Sequence, residues 1–472
     1  MNNIQYILNP ILGICLLFLS NGIFAQSNLD VKTWFVQFER GEASPLQEVN
    51  NKDVKGNAGW KNRIYIQPEV VFQEIEGIGG AFNEIGGEAL HSLPQDVQQQ
   101  ILQNLFSEEG AGFTFCRTAI GASDFGLDAY SYSMVPDDYN MKHFSIERDQ
   151  KYVLPYIKGA LAVNPNMTLF ASPWSPPGWM KESGEMEGLK VDGNELKNNP
   201  KVYKAYADYF VKYVRAYHEN GVDIDRICIQ NENDADTKYP SCIFPAKEMV
   251  SFANDYLIPA FKKNKIKAKV YAGTFRVVNQ MDLMDFVAIK ELGEIDGVGI
   301  QYTDARFISD AQTFKPDLKI FHTEGHCYNG ENSVEQAAHR LEEVANYINS
   351  GSTTFTYWNM ILNETTKSGW GWTQNSLINI NRETGEVYYN PDYNAMYIIS
   401  KFIKPGDKRI ASVCRGKYPM ISVKSPDGTI KVLIVNGNTA NDTFELVVND
   451  KVLKVNIPAN RLTAVTILQK DI

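Results

Sequence analysis

The sequence predicts an α/β protein: a (β/α)8 (TIM) barrel with a side β-sandwich domain built from the N- and C-terminal segments. Three observations carry this. From residue 72 to about 403, short apolar runs that end in polar or aromatic residues alternate with segments of helical period, the pattern of βα units. Eight such runs occur, the number that closes a barrel with its reactive residues at the C-terminal strand ends. At 26–71 and 404–472 the helical period is lost and strand-like runs alternate with turn signals. Either flank alone is too small to bury a core, so the two are expected to share one sandwich.

Composition narrows the function classes. The 472 residues are 44% hydrophobic and 22% charged, which excludes disorder, collagen and coiled coil. With Lys+Arg 46 against Asp+Glu 56 the net charge is -10, which argues against nucleic acid or an anionic membrane as partner. Residues 1–25 read as a cleaved signal peptide. Their apolar stretch, Ile11-Leu-Gly-Ile-Cys-Leu-Leu-Phe-Leu19, is about half the ~20 residues a bilayer span needs. A secreted or periplasmic location is expected, and no other segment approaches transmembrane length. Cys116, Cys228, Cys242, Cys327 and Cys414 are odd in number and scattered, and read mostly as buried thiols.

In chain order the flank opens with Trp34–Phe38, Arg63–Gln67 and Val70–Phe72. The barrel strands are read as Phe72–Gly79, Thr114–Ile120, Thr168–Pro173, Arg226–Glu232, Lys269–Thr274, Gly297–Tyr302, Lys319–Glu324 and Thr353–Trp358. Val202–Glu219 is a helix whose apolar residues recur at three and four, with Pro200 at its start and Gly221 at its stop. Val334–Asn349 is a second. Beyond residue 404 come Ile421–Lys424, a turn at Pro426-Asp-Gly428, then Ile430–Val435, Phe444–Val448 and Val455–Ile457.

Chemistry is sought where strands end. The fourth closes with Ile229-Gln-Asn-Glu-Asn233 and the seventh with Phe321-His-Thr-Glu-Gly325. Strands four and seven face each other across a barrel mouth, so Glu232 and Glu324 are expected to converge. Two carboxyls across a pocket suit cleavage of a glycosidic bond: one gives a proton to the leaving oxygen while the other attacks or activates water.

The ordered set Gly77-Ile-Gly-Gly-Ala-Phe-Asn-Glu84, Cys116-Arg-Thr-Ala-Ile-Gly-Ala-Ser-Asp-Phe125, Ala171-Ser-Pro-Trp-Ser-Pro-Pro-Gly-Trp-Met180, Gln230-Asn-Glu232, His322-Thr-Glu324 and Tyr357-Trp358 resembles glycoside hydrolase family 30, the relatives of glucosylceramidase. The resemblance implies retaining chemistry, with Glu232 as general acid/base and Glu324 as nucleophile. Phe144-Ser-Ile-Glu-Arg-Asp149 and the Gly-Ala-Phe-Asn-Glu form resemble its bacterial endo-β-1,6-glucanase branch, making a β-glucan the leading substrate. Exo-acting β-glucosidase or glucosylceramidase, β-xylosidase and β-fucosidase activities are the alternatives within the family. Two departures stand out: Glu84 where the family has Asp, and Ile300-Gln-Tyr302 where it often places His near Tyr.

Around the two carboxylates, Asn231 is read as a donor to the sugar 2-hydroxyl or as a loop-satisfying amide. Glu84, Arg117 and Asp124 are read as groups that hold sugar hydroxyls or the nucleophile, with a structural Arg117–Asp124 ion pair as the alternative. Trp174 and Trp358 are sugar platforms or core residues, and Tyr302 would orient the nucleophile. This chemistry needs no metal and no cofactor. His322, Glu324 and His326, at alternate positions, offer a competing metal cluster. A secreted carbohydrate-binding protein would keep the tryptophans without needing the glutamates.

Overall fold

The computed structural model describes residues 31–468 apart from 52–53, 55–57, 190–191, 277–280 and 303. The proposed signal peptide and Cys15 lie outside the described residues. Eight parallel strands form one sheet, taken here as barrel strands one to eight: Gly77–Phe82, Phe115–Ala119, Thr168–Ser172, Arg226–Cys228, Lys269–Arg276, Gly297–Gln301, Lys319–Glu324 and Thr354–Asn359. Strand eight pairs with strand one, and the ring closes between strands seven and eight where Gly325 N–H donates to Thr356 O at 2.8 Å. Most residues of these strands are buried, which is why they read as apolar runs rather than as alternation.

Strand one departs from the sequence reading. The reading Phe72–Gly79 joins the end of a long sandwich strand, Arg63–Glu74, to the start of the barrel strand; the flank run Val70–Phe72 does lie in that sandwich strand, 48%, 44% and 45% exposed. The barrel strand starts instead at glycine-rich Gly77. A Cβ on Gly79 would stand 2.1 Å from Phe115 O, so close approach to strand two removes the very side chains that would have marked the strand as apolar. The Val334–Asn349 helix is likewise two helices, Val334–Ala338 and Arg340–Ser350, broken at His339. The Pro200–Glu219 helix is as expected: Asn199 caps it by accepting from Lys201 N–H, and Gly221 ends it at φ +81°.

A layer of Phe115, Phe170, Cys228, Tyr271 and Phe321 fills the lower barrel. Beside the barrel stands a nine-stranded sheet in which Val31–Phe35 pairs with Arg461–Ile467, and Arg63–Glu74 lies between Lys408–Cys414 and Asp442–Val448. Ile64, Ile66, Val432, Leu446, Val455 and Val465, drawn from strands far apart in that order, share one apolar core, so the sheet folds over on itself. All five cysteines from 116 onward are free thiols, Cys414 half-buried and the others buried. No helix among the described residues is long and apolar enough to cross a membrane.

Candidate active site

Strands five, six and seven end in Arg276, Gln301 and Glu324; Arg276 and Gln301 both reach Glu232, and Gln301 also reaches Glu324. Strand four stops at Cys228, earlier than the sequence reading. The chain then runs on through an Asn231–Thr274 bridge to Glu232, whose φ of +46° turns it out of extended backbone. A non-glycine residue holds this conformation only where its surroundings fix it. Here Glu232 N–H lies 3.1 Å from Thr274 O and 3.2 Å from Thr274 Oγ1.

The two glutamates do converge. One nitrogen, Gln301 Nε2, donates to Glu232 Oε1 at 3.3 Å and to Glu324 Oε2 at 3.2 Å, so the carboxylates lie no farther apart than those two bonds laid end to end. Glu324 Oε2 also accepts from Arg117 Nη1 at 2.6 Å, and Glu324 Oε1 from the Tyr302 hydroxyl. Glu232 has weaker partners: Tyr239 OH and Arg276 Nη1 both lie 3.4 Å from Oε2. Burial pushes Glu232 up to about 7, Arg276 opposing and Glu324 adding to the rise. Asp124, buried beside both, is raised well above the ordinary range by burial, then by Glu324 and Glu232.

Residues 75–403 match the model of the Glycosyl hydrolase family 30 TIM-barrel domain. The chain belongs to this family. As a family 30 member it is a glycoside hydrolase, a β-glycosidase acting on carbohydrate. Lysosomal acid glucosylceramidase of Mus musculus is 26% identical over 438 residues, covering 85% of this chain and 82% of the mouse protein. Endo-1,6-beta-D-glucanase BGN16.3 of Trichoderma harzianum is 30% identical over 239 residues, 49% of this chain and 48% of its own. Among solved structures, the endo-beta1,6-glucanase BT3312 superposes with a TM-score of 0.79 at 22% identity, covering 93% of this chain and 100% of that one.

Other expected residues of this family 30 site take different parts. Arg117 is fully buried and spans Glu324, Asn231 Oδ1 at 2.6 Å and Ser172 Oγ at 2.7 Å, so its ion pair is with Glu324 rather than Asp124. Asn231 Oδ1 accepts from Arg117, from Thr274 Oγ1 at 3.0 Å and from Gln301, which turns its amide nitrogen the other way. Trp174 and Trp358 are 2% and 0% exposed. Their rings stack on each other 5.1 Å apart, with the Arg117 guanidinium 4.5 Å and 5.5 Å from them, so their faces brace the arginine rather than lie open as platforms.

Glu84 does not sit free for a hydroxyl either. Arg148 grips both its oxygens, at 2.8 and 3.0 Å, and Leu127 N–H adds a third bond, making it a brace for the loop after strand two. His322, Glu324 and His326 diverge: His322 stacks on Phe355 and is pushed down to about 3 by burial, while His326 pairs with Glu343 at 2.9 Å. Sequence reasoning missed Arg276, Tyr239 and Trp372. Tyr239 packs on Trp372 4.8 Å away, and both follow loops too long for any periodic signal. A groove of about 610 Å³, lined by Arg306, Tyr328, His339 and Asn346, opens beyond His326, whose ring packs on Tyr302 4.7 Å away.

Proposed function

We propose that this enzyme cleaves β-glucosidic bonds with retention of configuration, Glu232 acting as acid/base and Glu324 as nucleophile. The observation that carries this is the single amide nitrogen donating to both carboxylates, at 3.3 and 3.2 Å, which keeps the two bonded oxygens within the span of those two bonds and so favours the short separation of a double displacement over the wider gap that leaves room for water. Glu324 attacks the anomeric carbon as Glu232 protonates the departing oxygen. Glu232, now a carboxylate, takes a proton from the water that opens the glycosyl ester. The Asn231 amide donates to the sugar 2-hydroxyl, an interaction that strengthens as the ring approaches the transition state. A protonated Asp124 gives a hydroxyl a donor as well as an acceptor.

A β-1,6-linked glucan is the substrate we put first. The fungal endo-1,6-glucanase likeness supports it. A second reading, exo-action on a glucosyl lipid, is favoured by the much longer stretch aligned with mouse glucosylceramidase. Export to the periplasm or medium is proposed on the apolar Ile11–Leu19 stretch.

The test is digestion of β-1,6-, β-1,3- and β-1,4-glucans and a β-glucosyl lipid, with products followed by NMR from the first turnover. Oligosaccharides of β configuration from the β-1,6-glucan support the first reading, and glucose from the lipid alone supports the second. Initial α product would sink the double displacement. Glu232→Gln should abolish glucan cleavage yet retain attack on aryl glucosides whose leaving group needs no proton. Because burial of a charged Glu232 costs stability as pH rises above its unfolded value, the same variant should melt later than wild type at pH 8.

A further inference from the structure

Gln301, the last residue of barrel strand six, is fully buried. Its Nε2 faces three acceptors: Glu232 Oε1 at 3.3 Å, Glu324 Oε2 at 3.2 Å and Asn231 Oδ1 at 3.4 Å. Its Oε1 accepts from Thr323 Oγ1 at 2.8 Å. Turning the amide over would aim its oxygen at three other oxygens, two of them on carboxylates, so electrostatics fixes which end faces the mouth. Among the described residues Gln301 alone donates to both glutamates. Arg117 and Tyr302 reach Glu324, whereas Arg276 and Tyr239 reach Glu232.

We propose that Gln301 is a positioning residue that ties the acid/base to the nucleophile through a donor that does not titrate. The inference rests on the roles given above to Glu232 and Glu324. Those two carboxylates exchange charge during the cycle. Before attack the anion is Glu324; once the glycosyl ester has formed, the anion is Glu232. An amide with two N–H groups serves whichever is charged, and its own charge never changes. An imidazole in its place would take up a proton of its own beside two carboxylates, in the pH range where the enzyme must work.

The other charged groups facing the pair are fixed to one side each, except one. Arg276 and Asp234 act on Glu232, Arg117 on Glu324, and buried Asp124 on both. Asp124 adds negative charge or a proton, but it makes neither carboxylate a partner of the other. The bridge is therefore left to Gln301.

The experiment compares Gln301→Met, near in shape but without the donor, with Gln301→His, using an aryl β-glucoside and full pH profiles of kcat and kcat/KM. Melting curves establish that each variant folds. Gln301→Met should lower kcat by about 10- to 100-fold with KM within about twofold, and should move both limbs of the profile to higher pH, because a donor that favours both ionised carboxylates is gone. Gln301→His should recover part of the rate and add an ionisation near the ordinary histidine range, ~6.5. An unchanged kcat in the Met variant, or a lowered kcat on an unmoved profile, would overturn the proposal. Should that variant not fold, the His variant decides alone, and a profile without the added ionisation counts against us. Glu324→Gln assayed alongside separates the two failures. If it keeps turnover, the proposed function is wrong; if it is inactive while Gln301→Met behaves as wild type, only this inference fails.

Discussion

Arg117 and Arg226 are both buried, one at each end of the barrel, and they live in opposite electrostatic company. At the floor Arg226 sits among the rings of Phe115, Tyr271 and Phe321, 5.0–5.2 Å from their centroids, and pairs with Glu76 and Asp225; Lys269 joins Asp225 at 3.2 Å. Two cations meet two carboxylates. Burial pushes both Glu76 and Asp225 up, yet their cations outweigh it and both carboxyls are held below the ordinary range. At the mouth Arg117 and Arg276 face four carboxylates, Glu324, Glu232, Asp124 and Asp234. There the excess negative charge adds to burial, and Glu232 and Asp124 are driven up. The difference teaches that burying an ion pair does not make chemistry. Leaving carboxylates in excess does, because it gives one of them a proton near neutral pH.

The largest expected effect breaks the mouth at its proposed nucleophile. Glu324→Ala should lose about four orders of magnitude or more in kcat with the fold intact. With an activated glucosyl fluoride, azide should rescue it and give a glycosyl azide of inverted configuration. Retained configuration would show that the mouth works with the two strand ends in exchanged roles. Next is Arg117→Lys, which keeps the charge and loses the fork. A single ammonium cannot hold Glu324, Asn231 and Ser172 together, so kcat/KM should fall by about 100-fold. A loss under about threefold would mean charge alone suffices.

The floor should answer differently. Arg226→Met removes the charged bonds to Glu76 and Asp225 and should cost about 2–3 kcal/mol of stability, read as an earlier melting transition. Its kcat/KM per folded molecule should stay within about twofold of wild type. Loss of turnover without loss of stability would abolish the distinction drawn between the two ends.

This contrast was only half legible in the sequence. Glu232 and Glu324 could be found because a carboxylate closing a buried apolar run has few structural uses, and the eight-run count told which strands face each other. The same logic failed for Glu84, since its occupant, Arg148, lies on a loop with no periodicity to announce where it returns. It failed for Trp174 and Trp358 because an indole that braces an arginine and one that awaits a sugar look alike in sequence. Strand one was placed too early for a reason of packing: its glycines exist to admit strand two, so the end of the neighbouring sandwich strand, Phe72–Glu74, was read into it while Gly80–Phe82 was left out.

The smallest expected effect is a displacement of the pH profile, and it sharpens the comparison most directly. The first step of the proposed double displacement needs Glu232 protonated, so its raised proton affinity places the alkaline limb near the value of about 7 set by burial, with Arg276 pulling it down. Arg276→Met takes away the one cation within ion-pair reach of Glu232 among the described residues. With it gone the charged carboxylate is less favoured, Glu232 holds its proton to higher pH, and the alkaline limb should move upward by up to about one unit while kcat on the plateau changes little. Arg276 also pairs with Asp234 at 2.9 Å, and the freed Asp234 carboxylate pushes in the same direction, so the two consequences add. A limb that moves down would mean that Glu232 is not the group that titrates there.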